Sequence, residues 1–129
     1  SADASEATYQ RLHQLAGGIL HCGLPVVIDA TYLKQAQRED ARQIAESAGV
    51  PLLILDCHAP KAVIAQWLAQ RTAQGGDPSD ATMEVIEAQQ ANREALTAEE
   101  LLYSGRIDTS DMASIDGLTK RIEQHLHGQ

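Results

Sequence analysis

One short pattern occurs twice in this chain and constrains its fold more than any other feature. Residues 22–30 read CGLPVVIDA and residues 48–56 read AGVPLLILD, with the two glycines and the two prolines each twenty-six residues apart. Gly23 and Gly49 suit the left-handed position that stops a helix, and Pro25 and Pro51 suit the first residue of a strand, where a missing donor is tolerated. The apolar runs that follow, predicted as strands over 26–30 and 52–56, are continuous rather than alternating. Strands buried on both faces of a parallel sheet read this way, and the helix-patterned stretch between them supplies the crossover that parallel pairing needs.

The rest of the chain supports that frame. A helix is predicted over 4–22, where Tyr9, Leu12, Ala16, Ile19 and Leu20 recur at three- and four-residue steps, with Gly17 and Gly18 allowing close approach of a neighbour. A second, over 34–48, carries Leu33, Ala41, Ile44, Ala45 and Ala48 on one stripe. A third starts at Pro60 and places Val63, Ile64, Trp67, Leu68 and Arg71 on one side. Gly75, Gly76 and Pro78 then break the helical pattern, and Ser79 or Asp80 caps a helix over 81–95 that is polar almost all round. Thr97 and Glu100 have the spacing of a capping box before a short turn. A last strand is expected over 106–109 and a last helix over 111–127, along Met112, Ile115, Leu118, Ile122 and Leu126. The expected fold class is therefore α/β, a parallel sheet with helices on both faces, in one domain over 1–129.

Composition narrows the function. Ten basic against eighteen acidic residues leave a net charge of −8, and aromatic residues are few, so neither phosphate-backbone binding nor base stacking is supplied and nucleic acid is not an expected partner. No apolar run is long enough for a membrane span, and the polar start SADASEATYQ is no signal peptide, so a cytoplasmic location is expected. Cys22 with His21 and Cys57 with His58 are adjacent in sequence, which neither strand nor helix geometry turns into a chelating pair. His125 and His127 do not face each other on a helix.

Chemistry is expected where parallel strands end. Asp29 with Thr31, Asp56 with His58, and Asp108 with Thr109 and Ser110 follow the three apolar runs. A carboxylate there, followed by a hydroxyl, suits a hydrated magnesium ion near phosphate, while an N-cap role explains Asp29 equally simply.

The segments VVIDATYLKQAQRE (26–39), VPLLILDCHAP (50–60), RTAQGGDPSDATMEVIEAQ (71–89) and RIDTS (106–110) together resemble the small P-loop kinases related to polynucleotide kinase, gluconate kinase and the zeta toxins. The likeness is greatest to the kinase domain that follows an aminoglycoside-phosphotransferase-like domain in bacterial two-domain proteins. It runs from Tyr9 onward, and its most specific part is D-x-S-D-A-T followed by Gln89. The resemblance implies a P-loop NTPase-like fold, ATP and Mg2+ as cofactors, and γ-phosphoryl transfer to a small-molecule phosphate acceptor. It implies that Asp29 serves magnesium with Thr31 beside it, that Arg38 and Arg71 reach phosphates, that 72–97 is a lid, and that Asp108 and Thr109 lie near the nucleotide. For Asp77, Ser79, Asp80 and Gln89 an ordering role in the lid is expected.

One part of the family pattern is absent from these 129 residues. A phosphate cradle needs G-x-x-x-x-G-K-[ST], and Lys34, Lys61 and Lys120 each follow a residue other than Gly. The domain is thus expected to be truncated on its N-terminal side, inactive alone, and open to forming a homo-oligomer or a domain swap to cover strand edges. Two other readings fit the residues: a non-catalytic interaction or regulatory module, and a receiver-type domain with Asp29 as phospho-acceptor.

Overall fold

The computed structural model describes residues 2–75 and 83–127. The chain divides into two compact units, Ser1–Leu52 and Leu53–Gln129.

The first unit is a helical pair. Helix α1 spans Ala2–His21 and α2 spans Gln35–Ala48. Their contact is made by the smallest residues of each stripe: Ala16 and Ala45 are buried, and a Cβ added at Gly17 would sit 3.6 Å from Ile44 Cγ2. Gly17 therefore lies against the neighbouring helix at a distance where a Cβ would make only ordinary contact, and Gly18 faces open space, so neither glycine is required by a close approach. Gly49, at φ 70°, ends α2 as its pattern requires, with its amide donating to Glu46 O and the Val50 amide to Ala45 O. On the outer side of α2, Arg42 pairs with Glu39 at 2.6 Å and Glu46 at 2.8 Å, spacings that place the three on one face.

The expected strand over 26–30 is not formed. Residues 24–29 carry no regular secondary structure, and Val27 is 90% exposed. The reason is physical: an apolar run becomes a strand only by hydrogen bonding to a neighbour, and among the described residues no ladder reaches this segment.

The second unit contains the sheet. Strand β1 covers Ile54–His58 and β2 covers Ser104–Asp108, paired in parallel with Asp56 opposite Arg106 and His58 opposite Asp108. Parallel pairing is as expected for these two runs; β1 lies two residues later than expected, and β2 begins two residues earlier and ends one earlier, because backbone bonds set the bounds. The ladder is entered by Ile54 N donating to Tyr103 O and left by Thr109 N donating to His58 O. Between the strands lie α3 (Lys61–Ala73), α4 (Met83–Asn92) and α5 (Ala98–Leu101); α6 (Met112–His127) follows β2. The capping box is present, with Glu100 N donating to Thr97 Oγ1 at 3.1 Å and Thr97 N to Glu100 Oε1 at 3.0 Å.

Helix α6 packs against β2. A Cβ at Gly105 would lie 3.7 Å from Arg121 Cγ, Ser114 Oγ accepts from the Asp108 amide, and Arg121 donates to Ser104 O. Ile107 is the most deeply buried apolar residue of this unit, at 4% exposure. In-register neighbours share a face of a parallel pair, so Asp56, His58, Arg106 and Asp108 lie together on one side of the sheet and Gly105 with Ile107 on the other.

No residue of helix α4 is fully buried, Met83 and Ile86 being half-buried, and ion pairs flank it. Lys61 on α3 pairs with Glu87 at 2.8 Å, and Arg93 just beyond α4 pairs with Asp56 at 2.8 Å. Exposed pairs of this kind contribute about 0–1 kcal/mol each. Residues 76–82, which include Asp77, Ser79 and Asp80 of the expected lid, lie outside the described residues. Hydrogen exchange is expected to be faster over 83–97 than over 54–58, because a helix with no fully buried residue opens locally at little cost. Equal protection of the two segments would remove the basis for a lid there.

Candidate functional site

In the first unit the polar cluster forms where the extended segment turns into α2. Asp29 and Thr31 are exposed. Among the described residues Asp29 makes no side-chain hydrogen bond or ion pair, so the N-cap role does not claim it; Lys34 occupies that position and its amide donates to Gln37 Oε1. Tyr32 has φ 47°, the only described residue other than glycine in the left-handed region. A bulky side chain there costs on the order of 1–3 kcal/mol and persists only when its surroundings hold it.

The surroundings do. The Tyr32 amide donates to Tyr9 Oη at 3.0 Å, and Tyr9 Oη also bonds Thr31 Oγ1 at 3.1 Å. The Tyr32 hydroxyl bonds His13 Nε2 at 3.0 Å, and the Tyr32 carbonyl accepts from Arg38 Nη1 at 3.0 Å. The Tyr9 and Tyr32 rings meet edge to face at 5.1 Å, a favoured aromatic geometry. Both His13 and Arg38 are 5% exposed. Arg38 is thus turned inward on the backbone of the site.

Burial lowers the His13 pKa below its ordinary value, opposed in part by Asp40, and pushes the Tyr32 phenol up to about 12, with Tyr9 adding to the rise. The sign follows from proton linkage. A histidine held neutral by folding binds fewer protons folded than unfolded, so its contribution is present above the unfolded pKa and is lost as pH falls through and below that value. Chemical denaturation should therefore show the chain losing stability as pH falls below about 6.5, and His13→Gln should flatten that part of the profile. An unchanged profile in the variant would show that His13 is not the group responsible.

In the second unit a charged cluster occupies the face of the sheet that carries Asp56. Arg93 pairs with Asp56, and Arg106 Nε donates to His58 Nδ1 at 3.2 Å, which leaves His58 with its proton on Nε2. Asp108 Oδ1 accepts from the Ser110 hydroxyl and from its amide at 2.9 Å. These two bonds hold the Asp108 carboxyl below the usual carboxylate range, with His58 and Arg106 adding to the effect. Thr109 caps the strand end, its amide and hydroxyl both donating to His58 O. Arg71 stands exposed in the last turn of α3.

Of the residues singled out from sequence, Thr31 and Arg38 are brought together through Tyr32 and Tyr9, and His58, Asp108 and Thr109 share one strand end, while Asp56, expected at that end, lies in the middle of β1 on the same face because the ladder runs on to His58. Sequence reasoning missed Tyr9 and His13 as site-forming groups, although their four-residue spacing puts them on one face of α1. It also missed Arg93 and Arg106, whose partners lie thirty-seven and forty-eight residues away in the chain.

A family profile described as AAA domain matches residues 1–96, most of the chain. The chain belongs to the AAA domain family. This AAA domain is of the P-loop NTPase, kinase-like kind, and the matched span includes Asp29, Thr31, Arg38, Asp56 and Arg71, while Asp108 and Thr109 fall beyond it. No curated protein and no solved structure matches it.

The family uses ATP and Mg2+, and the two fit these residues unequally. Magnesium binds through one or two carboxylates while keeping several waters, and the exposed, unengaged carboxylate of Asp29 meets that need. Among the described residues no group of three or more His, Cys, Asp or Glu side chains forms a closed metal cage. The phosphate cradle does not fit, because the 129 residues contain no G-x-x-x-x-G-K-[ST]. Among the described residues no helix is long and apolar enough to cross a membrane.

Proposed function

We propose that this AAA domain is part of an ATP-dependent phosphotransferase of the small P-loop kinase group, related to polynucleotide kinase, gluconate kinase and the zeta toxins, acting on the hydroxyl of a small molecule. The observation that carries this reading is the family match over 1–96, which spans VVIDATYLKQAQRE and the segment with the most specific likeness, D-x-S-D-A-T followed by Gln89. In this reading Asp29 holds hydrated magnesium, Thr31 donates beside it, and Arg71 offers a planar guanidinium to phosphate oxygens. Arg38 serves the same end from behind, through the Tyr32 carbonyl. Asp108 and Thr109 lie toward the nucleotide.

The phosphate cradle is proposed to come from a segment outside these 129 residues. Val27, 90% exposed in a run that reads as a strand, supports a missing neighbour for that run. A polypeptide that joins this domain to a G-x-x-x-x-G-K-[ST] segment should turn over ATP, and Asp29→Asn should cut that turnover by roughly 100-fold or more, since charge neutralisation is a large part of phosphoryl-transfer catalysis. A joined polypeptide that is inert, or an Asp29→Asn variant with undiminished turnover, would dismiss the reading.

The same exposed run supports self-association of the chain taken alone, by exchange of strands between two copies. Analytical ultracentrifugation at micromolar concentration reads this directly, and a 13.9 kDa species throughout would count against it.

A further inference from the structure

We propose that Tyr9, His13 and Arg38 are positioning residues that clamp the turn at 31–32 from three sides and thereby fix the Thr31 hydroxyl, two residues along the chain from Asp29, for an oxygen-rich ligand. The inference rests on the reading of Asp29 as a magnesium-serving carboxylate and adds to it the residues that set its neighbour's direction.

Three observations converge on one residue. Tyr32 sits at a φ that its side chain disfavours, and each of its polar groups is tied to a different partner: the amide to Tyr9, the carbonyl to Arg38, and the hydroxyl to His13. The partners come from α1 and α2, the two helices whose packing makes the unit, so the turn is registered against both helices. His13 and Arg38 are almost wholly buried, which is unusual for such side chains unless they are engaged. The charged or titratable groups near the His13 ring are Tyr9 on α1, Tyr32 on the turn and Asp40 on α2.

Tyr9 Oη accepts from the Tyr32 amide and shares a hydrogen bond with Thr31 Oγ1 in which either oxygen can donate. That bond ties the Thr31 hydroxyl, two residues along the chain from the exposed Asp29 carboxylate. A hydroxyl and a carboxylate this close in sequence suit a metal-bound water or a phosphate oxygen next to a magnesium ion.

The test uses the 129-residue chain, ¹⁵N-labelled, with Mn2+ alone as the probe. The wild-type chain should show a positive φ at Tyr32 by its backbone coupling constants, and Mn2+ should broaden the amides of 29–31 before those of other acidic regions. Tyr9→Phe, which keeps the ring and removes the hydroxyl, should speed exchange of the Tyr32 amide roughly tenfold and erase the preference for 29–31. His13→Leu should do the same, and His13→Gln, which retains a hydrogen-bonding group, should restore both signals. Unchanged Tyr32 exchange and an unchanged Mn2+ pattern in Tyr9→Phe and His13→Leu would overturn the proposal. So would a negative φ at Tyr32 in the wild type, a measurement that stands even if a variant fails to fold. If the turn is locked as described while Mn2+ shows no preference for 29–31, the clamp stands and the magnesium reading of Asp29 fails.

Discussion

Titrated with ATP and magnesium, the 129-residue chain is expected to give no binding tighter than about ten micromolar, roughly 7 kcal/mol, and no ADP above a buffer blank. Backbone donors wrapped around the phosphates and the lysine that follows them supply most of the positioning in this chemistry, and the sequence contains neither. The structure weakens what remains. Of the two arginines expected to reach phosphates, Arg38 is buried and donates to a backbone carbonyl, which leaves Arg71 exposed at the end of α3. One charge-assisted contact contributes roughly 1.5–3 kcal/mol, and a net charge of −8 opposes the approach of a polyanion. Isothermal titration calorimetry decides the matter. A dissociation constant in the low micromolar range would reveal a nucleotide site built from other residues.

Ile107→Ala is expected to cost about 2–4 kcal/mol and to abolish cooperative unfolding of the unit that contains it. Ile107 lies one residue from the end of β2, 4% exposed, opposite Cys57 and under α6, and no other apolar residue of that unit reaches the same burial among the described residues. Small units retain only about 5–10 kcal/mol of net stability, so losing one anchor removes a large share. Leu102→Ala, at a residue 79% exposed, is the control and should change stability by no more than about 0.5 kcal/mol. Urea unfolding followed by circular dichroism measures both. If Ile107→Ala shifted the midpoint no further than Leu102→Ala, the core would have to lie elsewhere.

What the sequence disclosed depended on how local the determining interactions are. Helices α1, α2, α3 and α6, the left-handed Gly49 and the Thr97–Glu100 capping box follow from spacings of three to five residues, and the structure places all of them where those spacings put them. The strands illustrate the other case. Both 26–30 and 52–56 have strand composition, and only the second region finds a ladder, because pairing depends on a segment far away in the chain. For the candidate site, the place of Asp29 and Thr31 after an apolar run made them candidates, and the structure leaves both exposed. Arg38 was legible as a residue of interest, but its inward direction was not, since that is set by the Tyr32 carbonyl. The roles of Tyr9 and His13 were hidden for a related reason: a histidine on an amphipathic stripe acquires its task only when the turn arrives beside it.

The parallel ladder joins Ile54 to Ser104, fifty residues along the chain, whereas the contacts that define each helix span only a few. Closing so long a loop costs conformational entropy that grows with the logarithm of its length, and no bond between the strands offsets that cost until closure is nearly complete. Folding of the second unit should accordingly be paced by the meeting of β1 and β2, with α3 and α6 flickering in and out beforehand. In a stopped-flow experiment, a mutation in the ladder that weakens strand meeting would slow refolding, while one on the outer face of α6 would act mainly by hastening unfolding.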